Sequence, residues 1–226
     1  MASDVPKPTV VLVHGAFEDG SIWKGVIQQL QRAGYPVIVF GNPLRGVHVD
    51  AAFLQSMLDR IDGPAGGEEK VRALVYAGSI LPEAGEAPSV LIERFPGSSF
   101  LTSTDVVQYT LPDGTSGAYL LYQAEKFHSQ VAADVSESEA ALLLATQRPM
   151  DRLCLTEAPT VAAWKNLPTW QIITTEDLAI PLAEQKFEAD RARSHFVEVD
   201  ASHAVTVSNP GVVAHVIEQA ARSLWH

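Results

Sequence analysis

Thr9-Val10-Val11-Leu12-Val13-His14-Gly15-Ala16-Phe17 is the stretch on which the fold turns. Its run of apolar, mostly β-branched residues reads as a strand buried on both faces, the mark of a parallel sheet. The run stops at His14-Gly15, where the chain must turn sharply, and glycine permits this because it has no Cβ to clash. Gly20-Ser21 then opens a helical pattern with Trp23, Val26, Ile27 and Leu30 on one face. Strand, short loop and amphipathic helix make the first βα unit of an α/β sheet. In open sheets of this kind ligands sit at the carboxyl ends of the strands, which is where His14–Phe17 falls.

Working outward, the same alternation recurs. Ala33-Gly34 closes the first helix, and Pro36-Val37-Ile38-Val39-Phe40 is a second buried strand, followed by the turn Gly41-Asn42-Pro43. The spacing predicts a helix from Asp50 with Phe53, Leu54, Met57, Leu58 and Ile61 facing inward, and a third strand over Val71–Tyr76 that ends at Ala77-Gly78-Ser79. From 81 to 167 the pattern changes. Pro82, Pro88, Pro96 and Pro112 interrupt it, Pro112-Asp113-Gly114 is a turn, and helices are expected over Gln123–Ala132 and Glu137–Thr146, the second capped by Ser136. An insertion of this length between core strands is expected to be a helical cap or lid. The sheet resumes at Thr169–Thr175, a helix follows from Pro181, His195–Val199 is the last strand, and Asn209-Pro210 starts the final helix. The division expected is therefore a core of residues 1–80 and 168–226, with 81–167 as the inserted cap.

Composition narrows the function. A net charge of −11 without a basic patch excludes nucleic acid, since neutralising phosphates needs clustered Lys and Arg. Cys154 is the only cysteine, which rules out an internal disulfide and thiol-rich metal sites. His48, His128, His195 and His215 lack ligand spacing, so no metal is expected. No glycine-rich phosphate loop is present, and no apolar run approaches the roughly 18 residues of a membrane span. The polar, proline-broken amino terminus does not read as a secretion signal, and a cytoplasmic protein is expected.

Three loops are expected to converge at the strand ends: His14–Phe17, Glu176-Asp177, and Ser202-His203-Ala204. An acid and then a histidine, each just past a late strand, is the order in which an imidazole is oriented by a carboxylate and takes a proton from a nucleophile. Backbone N–H groups of His-Gly-Ala lie where an oxyanion would develop.

On these stretches the chain resembles the bacterial esterase branch of the α/β-hydrolase superfamily, related to methylesterases and hydroxynitrile lyases. Val11–Phe17 with Gly20-Ser21-Ile22-Trp23 is similar to the family's oxyanion loop and first helix. Ala73–Tyr76 with Pro82–Glu86 resembles its strand into the cap, Thr175–Pro181 its acid loop, and Ser202–Val205 with Ser208-Asn209-Pro210 its histidine loop. The resemblance implies an α/β-hydrolase fold with a mostly parallel sheet flanked by helices. It implies His203 as base, Asp177 as orienting acid with Glu176 as its rival, and a substrate pocket at Gly15, Ala16 and Phe17. The Ala16 N–H would be the oxyanion donor, and His14 would hold the turn. No cofactor is implied, and the partner is a small ester, lactone or related apolar ligand, with the chain a monomer or a dimer.

One family segment has no counterpart. No Gly-x-Ser-x-Gly occurs in the chain, and between the helix near Ile61 and the strand near Val71 stands only 62–70. A strand with its crossover helix needs about a dozen residues for the crossover alone. The elbow strand, its serine and the second oxyanion N–H are thus expected to be missing together. Ser79 is the candidate replacement: a one-strand slide of about 4.8 Å, pairing its strand with Val10–Val13, would carry it toward the nucleophile position. Three readings follow: an esterase-like hydrolase of weakened activity, a non-catalytic binding module on the same fold, and a shortened copy of an active enzyme.

Overall fold

In a computed structural model that describes residues 6–61 and 70–224, the apolar runs become parallel strands. β1 (Val10–Val13) leads through α1 (Lys24–Arg32) to β2 (Val37–Phe40), and the two strands pair in parallel from Val10↔Val37 to Val13↔Phe40. After α2 (Val47–Leu58) comes β3 (Leu74–Ala77). The insertion holds α3 (Pro88–Arg94), β4 (Thr104–Thr110), β5 (Ser116–Tyr122), α4 (Ala124–Val131), α5 (Glu137–Ala145), β6 (Met150–Asp151) and α6 (Leu153–Thr156). β7 (Thr169–Thr174), α7 (Leu182–Ala192), β8 (His195–Val199), α8 (Val205–Ser208) and α9 (Pro210–Ser223) complete the chain. β3, β7 and β8 form a parallel sheet in that order.

Every residue of β7 is buried, as expected for a central strand covered on both faces. On one face α1 and α9 pack side by side, placing Val26, Leu30, Val213 and Val216 against Leu12, Trp170 and Ile172. Gly25 allows this approach, because a Cβ there would lie 2.7 Å from Pro210 at the start of α9. On the other face α7 covers β7, and its Gln185 accepts the Thr174 N–H at 3.0 Å.

Several expectations are corrected. The slide of β3 onto β1 does not occur. β3 is held by β7 through the register Leu74↔Thr169 to Ala77↔Ile172, and Gly78 N–H donates to Ile172 C=O at 3.0 Å. Moving it would strip that ladder from β7, and among the described residues no ladder joins β1 to β3. The helix expected to face inward is uncovered: no residue of α2 is buried, and Phe53 is 58% exposed. It starts at Val47 instead of Asp50, whose carboxylate accepts the Arg45 N–H. The insertion is not purely helical, since β4, β5 and β6 form an antiparallel sheet whose hairpin turns at Gly114. Ser136 caps α5 as the sequence indicates, its hydroxyl accepting the Glu139 N–H at 3.2 Å. The short stretch 62–70, expected to be a loop, lies outside the described residues except for Lys70.

Candidate functional site

The carboxyl ends of β7 and β8 bring two side chains together. Asp177 lies three residues past β7 and is fully committed: Oδ1 accepts the N–H groups of Ala179 (2.8 Å) and Ile180 (2.9 Å). Oδ2 accepts the Thr174 hydroxyl and the His203 ring N–H, both at 2.9 Å. Burial alone would raise this carboxyl, but the His203 charge and these donors overcome it and hold the acid below its ordinary range. An ionised carboxylate can only accept, so the proton between the pair sits on His203 Nδ1. That leaves Nε2, which has no protein partner among the described residues, as the working nitrogen of a residue that lines the cavity. Burial pulls His203 down, yet Asp177 and then Glu18 outweigh it and push the ring up to about 9. The rival acid, Glu176, is exposed.

The loop after β1 forms the opposite wall. His14 is buried, accepts the Asn42 N–H at Nε2 (3.0 Å) and donates from Nδ1 to its neighbour's carbonyl at Gly15 (3.0 Å). Burial, helped by the Arg148 charge, lowers its pKa, so the ring is a neutral strut. Arg148 reaches in from the insertion, its N–H on the Phe17 carbonyl (2.8 Å) and its guanidinium on the Asn42 carbonyl (2.7 Å). These ties hold Phe17 in the left-handed region at φ 63, a strained conformation for a non-glycine residue. Its ring packs against Phe100 and Tyr122. With the turn fixed in this way, the amides of Ala16 and Phe17 make no hydrogen bond among the described residues, and the Gly15 N–H donates to Glu18 Oε2 at 3.1 Å. Glu18 is a residue the sequence reading passed over. It follows the Gly15–Phe17 turn but belongs to no spacing pattern, and its neighbour Asp19 caps the next helical turn, its carboxylate accepting the Ser21 N–H.

Between the walls lies a cavity of about 420 Å³, lined chiefly by apolar side chains such as Phe17, Phe100, Tyr122 and Phe127. Gly15, Ala16, Ser79 and His203 also face it. Ser79 follows Gly78, which takes φ +50 where the backbone passes Asp177 and the His203 carbonyl; a Cβ at Gly78 would lie 3.5 Å from the Asp177 carboxylate. Ser79 is half-buried, makes no hydrogen bond to the ring, and leads into irregular chain rather than a helix. The structure thus joins His203 to Asp177, faces them with Gly15–Phe17, and leaves Ser79 unconnected. Cys154 lines the same cavity as an inactive thiol, pushed up to about 12 by burial and then by Asp50. Among the described residues no group of three or more His, Cys, Asp or Glu is placed to hold a metal ion. No helix among them is long and apolar enough to cross a membrane.

A parallel sheet flanked by helices, with an acid and a histidine paired at the ends of its late strands, defines the α/β-hydrolase class. Residues 10–216 match the Alpha/beta hydrolase family, and the chain belongs to it. A curated relative, the alpha/beta hydrolase nvfD of Aspergillus novofumigatus, is 26% identical over 223 residues, covering 98% of this chain and 82% of its own. Similar solved structures include a polyneuridine aldehyde esterase (TM-score 0.81, 16% identity, 94% of this chain and 98% of that one). A methylesterase from Arabidopsis superposes with a TM-score of 0.75 at 14% identity, over 96% and 99% of the two chains. A pyrethroid hydrolase from Sphingobium faniae gives 0.73 at 19% identity, over 96% and 98%.

Proposed function

We propose that this protein is an esterase-like hydrolase of small, largely apolar esters or lactones, in which water takes the place of a serine nucleophile. The observation that carries the reading is the 2.9 Å His203–Asp177 hydrogen bond, with the remaining ring nitrogen left for the cavity. The chain contains no Gly-x-Ser-x-Gly, and the loss of the elbow segment accounts both for that and for the break between β1 and β3. Residues 81–167 act as the cap over the pocket. Phe100, Tyr122 and Phe127 select apolar acyl or alkoxy groups, while the Ala16 and Phe17 amides receive the carbonyl oxygen as it becomes an oxyanion. The names of the structural neighbours, esterase, methylesterase and pyrethroid hydrolase, agree with that substrate class, and the amino-acid likeness of the motifs agrees with a bacterial, cytoplasmic member of the branch.

Oriented by Asp177, His203 is the acid–base group that serves the reacting ester. Positioned acid–base groups contribute about 10²–10⁴-fold, so the activity is expected to be weak compared with that of an enzyme with a complete triad. Purified protein assayed on p-nitrophenyl acetate and butyrate tests this. Turnover that survives Ser79→Ala but falls to background in His203→Ala supports it, and loss in both variants supports a relocated serine instead. One observation favours a second reading, a non-catalytic binding module: Ser79 is not connected to the ring. Saturable binding of an apolar ester with no turnover would establish that alternative.

A further inference from the structure

Glu18 is a cavity-lining carboxylate beside the Ala16 and Phe17 amides that the reading above leaves unused. Only one of its carboxylate oxygens is engaged, Oε2 on the Gly15 N–H, and Oε1 has no protein partner among the described residues. Glu18 and His203 line the same cavity, from the β1 loop and from the β8 loop, with neither hydrogen bond nor ion pair joining them. A small molecule bound against the Ala16 and Phe17 amides therefore shares the cavity with a carboxylate and an imidazole.

We infer that Glu18 is the general base of the water-based hydrolysis and that His203 is its partner acid. This rests on the esterase-like reading and assigns the protons within it. The charges decide the direction. Held between Asp177 and Glu18, His203 is pushed up to about 9 and so is imidazolium at neutral pH, able to give a proton but not to take one. Burial lifts Glu18 above the ordinary carboxylate range, against the opposing pull of His203 and the Gly15 N–H, which makes its ionised form a stronger base. The other titratable groups around the pair are Asp177 from the β7 loop, Asp19 beside Glu18, Asp50 from α2, Cys154 from α6, and the neutral Tyr122 phenol from β5, itself raised by burial and by both carboxylates.

The step balances without a co-reactant. Glu18 takes a proton from water as the water oxygen bonds to the acyl carbon, and the carbonyl electron pair moves onto the oxygen at the Ala16 and Phe17 amides. When the intermediate collapses, the acyl carbon–alkoxy oxygen bond breaks and its electron pair leaves with the alkoxide. The alkoxide receives the proton from His203 Nε2, giving acid and alcohol. The proton on Glu18 then returns to His203 through solvent.

Glu18→Gln keeps an acceptor for the Gly15 N–H, so it removes the base without untying the loop. We expect kcat on p-nitrophenyl butyrate at pH 7 to fall about 10²-fold or more, with the low-pH limb of the rate profile lost and partial rescue in Glu18→Asp. Independently of turnover, the His203 ring titration followed by NMR should move down in Glu18→Gln, because one of the charges raising it is gone. A variant that keeps the parent's rate and low-pH limb overturns the assignment while leaving the hydrolase reading intact. A rate loss with the ring titration unmoved makes Glu18 a support of the loop and also overturns it. A parent chain with no turnover at any pH sinks both readings together.

Discussion

The ends of β7 and β8 and the flank formed by α2 obey the same packing rules with opposite outcomes. At the first, β7 is buried throughout and Asp177 spends its carboxylate on five donors. At the second, α2 buries no residue, and Val13 and Val39 of the neighbouring strands are 37% and 36% exposed. The difference teaches that the His203–Asp177 pair is held by its own local bonds. It does not depend on a continuous sheet, so it stays ordered beside a break in the scaffold.

If that is right, substitutions at the first region should cost far more than those at the second. Asp177→Ala strands the His203 ring, the Thr174 hydroxyl and two buried amides. Its expected cost is about 3–5 kcal/mol of folding stability, measured by urea unfolding. A loss of only about 0.5 kcal/mol would mean the pocket end is as loose as the α2 flank. Leu30→Ala, under the sheet, is expected to cost about 2–5 kcal/mol.

Glu184→Leu should act in the opposite direction. Glu184 is fully buried on the inner face of α7 with no partner for either oxygen among the described residues, and burial followed by the Asp177 charge pushes it up to about 7. An acid whose folded pKa is raised favours the folded state less as pH climbs from its unfolded value near 4.5 through 7. The variant is therefore expected to raise stability by about 1–3 kcal/mol at pH 8 and by less at pH 5. Equal gains at both pH values would show that the carboxyl does not titrate there.

The His203–Asp177 pair has a sign of its own. His203 is raised from 6.5 to about 9, so its contribution to stability is present below pH 6.5 and is lost as pH rises through 9. His203→Gln should flatten that alkaline fall in melting temperature. The smallest effect belongs to α2: with its ring 58% exposed, Phe53→Ala is expected to change stability by only about 0.5 kcal/mol. A multi-kcal loss there would show that a covering element packs on α2 in solution.

Much of this was legible in the amino-acid order. The apolar runs of β1, β2 and β7, alternating with helical patterns, announce a parallel sheet, although only β7 is buried along its whole length, and an acid and a histidine just past late strands announce the pair. The β4–β5–β6 sheet is not legible in the sequence, although the turn at Pro112-Asp113-Gly114 is. Thr104–Thr110 does not alternate cleanly, because only Thr104 is buried and both faces of the strand carry exposed residues. α2 misled for the opposite reason: Phe53, Leu54, Met57 and Leu58 carry a clean helical period, but periodicity states which residues share a face and not whether anything covers it. Glu18 and Arg148 have no sequence signal. Each acts across a distance in the chain, Arg148 on His14 and Asn42, Glu18 toward His203, and only the fold brings these groups together.

The central claim is that the cavity hydrolyses esters through water, with no covalent acyl intermediate. Intact-mass analysis of the protein quenched during turnover of p-nitrophenyl butyrate tests this directly. The account predicts release of p-nitrophenol with the chain mass unchanged at every time point; a butyryl adduct that accumulates during turnover and maps to Ser79 would contradict it.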